Sequence, residues 1–275
     1  MKNILIMLML FSFSNYQIDN DLKVISYNIR YNNLNDGINK WDNRKETIFN
    51  FLEDEHPDFI GMQEVLENQL NELNENLEDY NSIGIGREDG KNKGEFSPIF
   101  YLEESYKLIK TNTFWLSDAP DKVSLGWDAA IERICTYGYF ESKKTKKRFW
   151  VFNTHFDHMG EIARQKSAEL IISKIEKLNT KKEPIVLMGD FNLIPISDPI
   201  KILSKKFIDS FSINSNLSNL IGTYNGFRES YDNNMRIDYI FSKGLDVKSS
   251  EHVGIKTSFG RWASDHHPVK VLFNF

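Results

Sequence analysis

Between Tyr80 and Phe156 the chain runs through five strand-like segments joined only by turns, and no other feature constrains the fold as much. Asn81–Gly86, Ser97–Leu102, Tyr106–Leu116, Ile131–Ser142 and Arg148–His155 are rich in aromatic and β-branched residues, with Gly, Pro and charged residues between them. Helical spacing flanks this run. Trp41–Glu55 carries Ile48, Phe49 and Leu52 on one face and stops at Pro57, while Leu66, Leu70, Leu73 and Leu77 mark a second amphipathic helix. Ile162–Leu178 sets Ala168, Ile171, Ile175 and Leu178 along a third. Leu22–Asn28, Asp58–Gln63, Pro184–Gly189, Met235–Phe241, Leu245–Val253 and Val269–Phe273 read as further strands. Strands with helices interspersed predict sheets packed face to face and covered by helices outside.

With 275 residues, 40% hydrophobic and 27% charged, the chain can bury a substantial core. No repeat, Pro-rich linker or low-complexity run divides it, so residues 15–275 read as one domain. The first residues read as an address: Lys2 precedes the apolar run Ile4–Phe13, and Ser12 and Ser14 offer small residues at a cleavage point. Residues 1–14 are therefore expected to be a signal peptide, giving a secreted or periplasmic protein with no transmembrane anchor after processing. The single cysteine, Cys135, permits no intramolecular disulfide and reads as a small core residue. A net charge of −5 argues against a strong sequence-independent grip on long nucleic acid, which needs clustered Lys and Arg. A cation inside a site can still neutralise phosphate locally.

Polar residues recur just beyond the ends of the apolar strands, where side chains of a layered sheet converge. The segments are Ser26-Tyr27-Asn28, Met62-Gln63-Glu64, Asn153-Thr154-His155, Gly189-Asp190-Phe191-Asn192, Arg236-Ile237-Asp238-Tyr239-Ile240 and Ser264-Asp265-His266-His267-Pro268. Carboxylate and amide oxygens are what a hard cation such as Mg²⁺ prefers, and histidine beside carboxylates supplies a proton acceptor near neutrality. Phosphoester hydrolysis needs both. Singly, each residue has a plainer reading: Asn28 as a turn former, Glu64 as a helix cap, and Asp198 before Pro199 as a cap or turn. Their joint recurrence outweighs these.

In order and wording these strings resemble the endonuclease/exonuclease/phosphatase superfamily, the DNase I-like enzymes, over about residues 22 to 275. The resemblance implies an α/β fold, a four-layer α/β sandwich of two mixed β-sheets flanked by helices, and a Mg²⁺-dependent phosphoesterase in which Mn²⁺ can substitute. It also implies roles that spacing alone does not separate. Glu64 would be the principal metal carboxylate, with Asn28 beside it and Asp265 completing the cluster. His266, oriented by Asp238, would activate water or balance charge on the phosphate. Asp190 would orient the attacking water, Asn192 would hold it and a phosphate oxygen, and His155 would donate to a nonbridging oxygen, supported by Asn153.

Further segments look like one secreted bacterial subgroup near the nocturnin-type exonucleases: Trp41-Asp42-Asn43-Arg44, Gly86-Arg87-Glu88-Asp89-Gly90, Gly94-Glu95-Phe96-Ser97-Pro98 and Gly126-Trp127-Asp128-Ala129-Ala130 with Arg133. Arg44, Arg87 and above all Arg133 are candidates to clamp phosphate, since a planar guanidinium holds two oxygens at once. Trp41, Trp127 and Phe227 could stack on a base or sugar; alternatively the tryptophans are core and the arginines pair with nearby acids. Trp115 reads as core, and Lys143–Arg148 as a solvated hairpin turn. The expected enzyme is a monomer acting on a nucleotide, short oligonucleotide or sugar phosphate. The alternatives are a nonspecific secreted endonuclease, or a non-catalytic binding module on the same fold.

Overall fold

The computed structural model describes residues 21–213 and 222–275, so the leader at 1–14 lies outside the described residues. The chain opens with β1 (Asp21–Asn28), α1 (Lys45–Glu55), β2 (Phe59–Gln63), α2 (Glu67–Asn76), β3 (Tyr80–Ile83) and β4 (Ile99–Leu102). Then come β5 (Tyr106–Trp115), β6 (Ile134–Ser142), β7 (Arg148–His155), α3 (Glu161–Leu178) and β8 (Ile185–Asp190). The described elements end with α4 (Asp198–Ser204), β9 (Ile208–Asp209), α5 (Ser210–Ile213), β10 (Asp238–Lys243), β11 (Asp246–His252) and β12 (Val269–Asn274). They build two six-stranded mixed sheets, ordered β11-β12-β1-β2-β4-β3 and β5-β6-β7-β8-β10-β9. The β1–β2 and β7–β8 pairs are parallel.

Alternation along β7 and β8 explains why the sheets stack. Phe149, Val151, Val186 and Met188 join the core shared with the first sheet, whereas Trp150, Phe152, Ile185 and Leu187 join a core with Ile171 and Ile175 of α3 and Leu203 of α4. A strand buried on both faces must read as a nearly unbroken apolar run, as these do. On the far side Tyr27 meets Phe51 of α1 edge to face, ring centroids 6.4 Å apart. The result is a four-layer α/β sandwich. Phe59 packs on Phe140 and Phe149 at 4.8 and 5.3 Å, an aromatic lock between the sheets. The sheets approach so closely that a β-carbon on Gly61 would lie 2.6 Å from Met188 Cε.

One expectation changes in detail. The helix expected over Trp41–Glu55 is a short 3-10 turn at Trp41–Asn43 and then α1, broken at Arg44 (φ −116°, ψ −29°). Arg44 is 1% exposed and folds back to donate to the carbonyls of Ile29, Arg30, Asn39 and Ala263. Asp198 before Pro199, expected as a cap or turn, does mark a helix start: it is the first residue of α4, with Ser197 at the N-cap position and Pro in the first turn. Lys143–Arg148 does form the β6–β7 turn, and Cys135 is fully buried with its thiol pushed up by burial. No helix among the described residues is long and apolar enough to cross a membrane.

Candidate active site

Sheet register assembles the site. Parallel pairing of β7 with β8 sets His155 opposite Asp190, and antiparallel pairing of β8 with β10 sets Asp238 opposite Asp190. In the first sheet Asn28 is level with Gln63, so Glu64 follows at the same edge. Asp265 and His266 immediately precede β12, whose Val269 pairs with Ser26. The backbone is turned sharply at these ends. Glu64 (φ 59°) and Asn192 (φ 50°) both adopt the left-handed region, which non-glycine residues hold only where surroundings enforce it. Gly189 (φ 151°) lies so near β7 that a β-carbon would meet Thr154 O at 2.0 Å.

One corner is acidic. His266 Nδ1 lies 2.8 Å from Asp238 Oδ2, and its Nε2 lies 3.7 Å from Asp190 Oδ2. Burial disfavours the imidazolium, but Asp238, Asp190 and Asp265 outweigh it and hold the His266 pKa well above the usual value. Burial and the neighbouring Asp238 push Asp190 up to about 7. Its Oδ1 accepts the Asn192 backbone N–H at 2.9 Å. Asn28 Nδ2 links the carboxylates, donating to Asp190 Oδ2 at 3.0 Å and Glu64 Oε1 at 3.2 Å. Glu64 Oε2 accepts the Tyr31 N–H at 3.2 Å and lies 3.7 Å from Arg30 Nη1. Burial and repulsion from Glu64 raise Asp265.

The opposite corner pairs arginines with acids around a second histidine. His155 Nε2 is 3.1 Å from Asn192 Nδ2 and 3.4 Å from Asp190 Oδ2. Burial, then Arg133 and Arg87, hold the His155 pKa well below its ordinary value, so the ring is neutral. Arg87 forks onto Glu95 at 2.7 and 2.9 Å, and Glu95 Oε2 lies 4.0 Å from His155 Nδ1. Arg133 contacts His158 Nδ1 at 3.0 Å and Asp157 at 3.5 Å.

The structure thus gathers Asn28, Glu64, His155, Asp190, Asn192, Asp238, Asp265 and His266 at one edge, with Arg87 and Arg133 behind His155. Other expectations are corrected. Asn153 is fully buried: it donates to Met62 O and Pro98 O and accepts from Gln63, so its amide stitches the sheets together and is not free for substrate. Arg44 and Trp41 are likewise structural, because carbonyls saturate the guanidinium and the indole is 0% exposed. Trp115 is core, as expected, its Nε1 donating to Arg87 O at 2.7 Å. Trp127 is half-buried, bonded to Asp118 at 2.9 Å, and Phe227 lies under Arg44 at 5.5 Å. Sequence reasoning gave no site role to Glu95, Asp157 or His158. The polar run continuing past His155 was the available signal for the latter two.

Oxygen donors suited to a divalent cation stand on Glu64 and Asp265, and crowded carboxylates with a raised member are what a cation relieves. Asp190, Asp238 and His266 also form a compact group whose ligand atoms all lie within 4.8 Å of one another, close enough to share an ion. The oxygen of Asn28 faces away, accepting the Arg30 N–H at 3.0 Å.

Residues 25–266 match the model of the Endonuclease/Exonuclease/phosphatase family. A structure of an endonuclease/exonuclease/phosphatase from Bacteroides vulgatus is 38% identical, covering 93% of this chain and 99% of that one, TM-score 0.88. A mannosyl-6-phosphatase from Bacteroides thetaiotaomicron is 36% identical, covering 92% and 100%, TM-score 0.87. The human nocturnin catalytic domain is 18% identical over 93% of this chain and 94% of that one, TM-score 0.73, a likeness of fold. The chain belongs to the endonuclease/exonuclease/phosphatase family, whose members hydrolyse phosphoesters with divalent metals.

Proposed function

We propose that this family member hydrolyses a small phosphoester, a phosphorylated sugar foremost, using Mg²⁺, with Mn²⁺ able to take its place. The observation that carries the reading is the buried His266–Asp238 pair at 2.8 Å facing Asp190, across from Glu64 and Asp265. Support for a sugar phosphate comes from the 36% identity to a mannosyl-6-phosphatase, and the net charge of −5 weighs against a nonspecific endonuclease. The leader-like residues 1–14 support export as a secreted or periplasmic enzyme, which we take to be monomeric.

Glu64 and Asp265 would hold the cation, with Asn28 steadying Glu64. We prefer this pair to Asp190, Asp238 and His266 because an imidazolium bonded to Asp238 has no lone pair to offer. When bound, the cation supplies positive charge to the phosphoryl oxygens as negative charge builds there. Asp190, fixed by the Asn192 N–H and raised to about 7 by burial and Asp238, takes a proton from water at neutral pH. His266 presents Nε2–H to the phosphoryl group while Asp238 accepts Nδ1–H and fixes the orientation of the ring. Asn192 Nδ2 donates to Phe156 O and to His155 Nε2, which leaves neutral His155 its Nδ1–H as the hydrogen it would offer a nonbridging oxygen.

The test is a phosphoester panel spanning DNA, RNA, dinucleotides, inositol phosphates and sugar phosphates, run with Mg²⁺ and with Glu64→Ala as the blank. EDTA should abolish turnover, Mg²⁺ or Mn²⁺ should restore it, and Glu64→Ala should lose on the order of 10³-fold while remaining folded. Undiminished activity in EDTA would sink the mechanism. Internal cuts in duplex DNA would select the endonuclease, and ligand binding without Glu64-dependent turnover would select a binding module.

A further inference from the structure

Beyond the groups given hydrolytic roles lies a second cluster with unused bonding capacity. Arg133 is only 4% exposed, yet its Nε and Nη1 have no hydrogen-bond partner among the described residues. Buried donors without acceptors are costly and rare, and they are expected where a ligand's oxygens complete the set. Arg87 Nε is unpartnered in the same way, while its terminal nitrogens are spent on Glu95. The loop that leads into Arg133 carries the half-buried Trp127, and its Ala130 N–H donates to Asp157 at 3.2 Å. Asp157 in turn lies 3.5 Å from Arg133 Nε, so this one acid ties the loop that carries Trp127 to the guanidinium.

Charge decides what such a cluster can receive. Glu95 balances Arg87 and Asp157 balances Arg133, which leaves little net charge for a second phosphate. A second phosphate calls for an uncompensated, forked cation. Neutral hydroxyls instead call for donors and acceptors side by side, with an aromatic face for the apolar side of a ring. Glu95 retains acceptor capacity beyond its bonds to Arg87, and His158 stands at the rim with its side chain 49% exposed.

We propose that Arg133, with Glu95, His158 and Trp127, forms the subsite that holds the alcohol portion of the substrate, and that this alcohol is a polyhydroxylated ring of hexose type. Arg133 thereby acts on the leaving group and not on the transferred phosphate, unlike the expectation from sequence. The inference rests on the phosphoesterase reading above, but its binding arm does not need turnover.

The experiment compares wild type, Arg133→Gln and Arg133→Lys on a hexose 6-phosphate and on p-nitrophenyl phosphate, which lacks ring hydroxyls. Unphosphorylated hexose binding is measured in parallel by calorimetry, and thermal melts check folding. The ratio of kcat/KM for the sugar ester over the aryl ester should fall at least 30-fold in Arg133→Gln, chiefly through KM, with partial rescue by Lys. Hexose binding should weaken about tenfold. His158→Gln, at the exposed rim, should shift the ratio the same way by a few-fold and serves if the buried variant fails to fold. An unchanged ratio with unchanged hexose binding would overturn the subsite. If wild type turned over no phosphoester but bound hexose through Arg133, the subsite would stand and the phosphoesterase reading would fall.

Discussion

His155 and His266 stand on either side of Asp190, both buried, yet their surroundings set them to opposite charge. Asp238, Asp190 and Asp265 overcome burial at His266 and keep it cationic, whereas burial, Arg133 and Arg87 act together to keep His155 neutral. Burial disfavours the charged ring in both places; the neighbouring charges decide the outcome. A single site thus holds a cationic ring and a neutral one, 3.7 and 3.4 Å from the same carboxylate. In the proposed reaction, separation of this kind would let one set of side chains manage both the proton of water and the growing charge on phosphate.

The largest effect should come from breaking the acidic corner. His266→Ala and Asp190→Asn should each lower kcat by about 10²–10⁴-fold while raising KM only a few-fold, since both groups act in the transition state. Steady-state kinetics on the substrate identified by the panel checks this. Equal losses carried mainly by KM would mean that the corner binds ground-state phosphate and does no proton chemistry. Replacement in the other corner is expected to cost less. His155→Gln keeps a donor near Asn192, so kcat should drop about 10-fold to 10²-fold. A loss as great as that of His266→Ala would erase the distinction between the two corners.

Much of this arrangement was legible before any coordinates. The strand-end strings picked out residues that the fold gathers at one edge, because the polar residues follow runs that must be buried and a layered sheet brings such ends together. What sequence could not supply was how each side chain is spent. Asn153 and Glu64 both sit at the ends of apolar strands, but Asn153 faces between sheets that nearly touch at Gly61, and its amide is consumed there. Arg44 looked like a phosphate clamp until the chain folded Ile29 and Ala263 carbonyls around it, the latter 219 residues away. Glu95 lay in the segment Gly94–Pro98 but had no role there; its weight comes from Arg87 and from a 4.0 Å approach to His155 that only the tertiary fold creates. The α3 N-terminus teaches the same lesson: Gly160 offers it no side-chain cap, so Asp128 supplies one from a distant loop, accepting Ala163 N–H at 2.7 Å.

The smallest expected effect is also the most direct test of opposite charge states, because it needs neither substrate nor metal. His155 has a folded pKa below its unfolded value near 6.5, so the unfolded chain binds the extra proton as pH falls. Its contribution is therefore present above pH 6.5 and lost on acidification. His266 has a folded pKa above that value, so its contribution is full below pH 6.5 and fades as pH rises toward the folded pKa. In the metal-free protein, His155→Gln should flatten the decline of melting temperature on the acid side, and His266→Gln should flatten it on the alkaline side. Each is a change of slope amounting to a few degrees, on the scale that about 1–2 kcal/mol produces in a chain of this size. Chemical denaturation across pH 5 to 9, with both variants and the double variant, reads the slopes separately. If both substitutions flattened the same limb, the two histidines would share a charge state, and Asp190 would have one kind of neighbour on both sides.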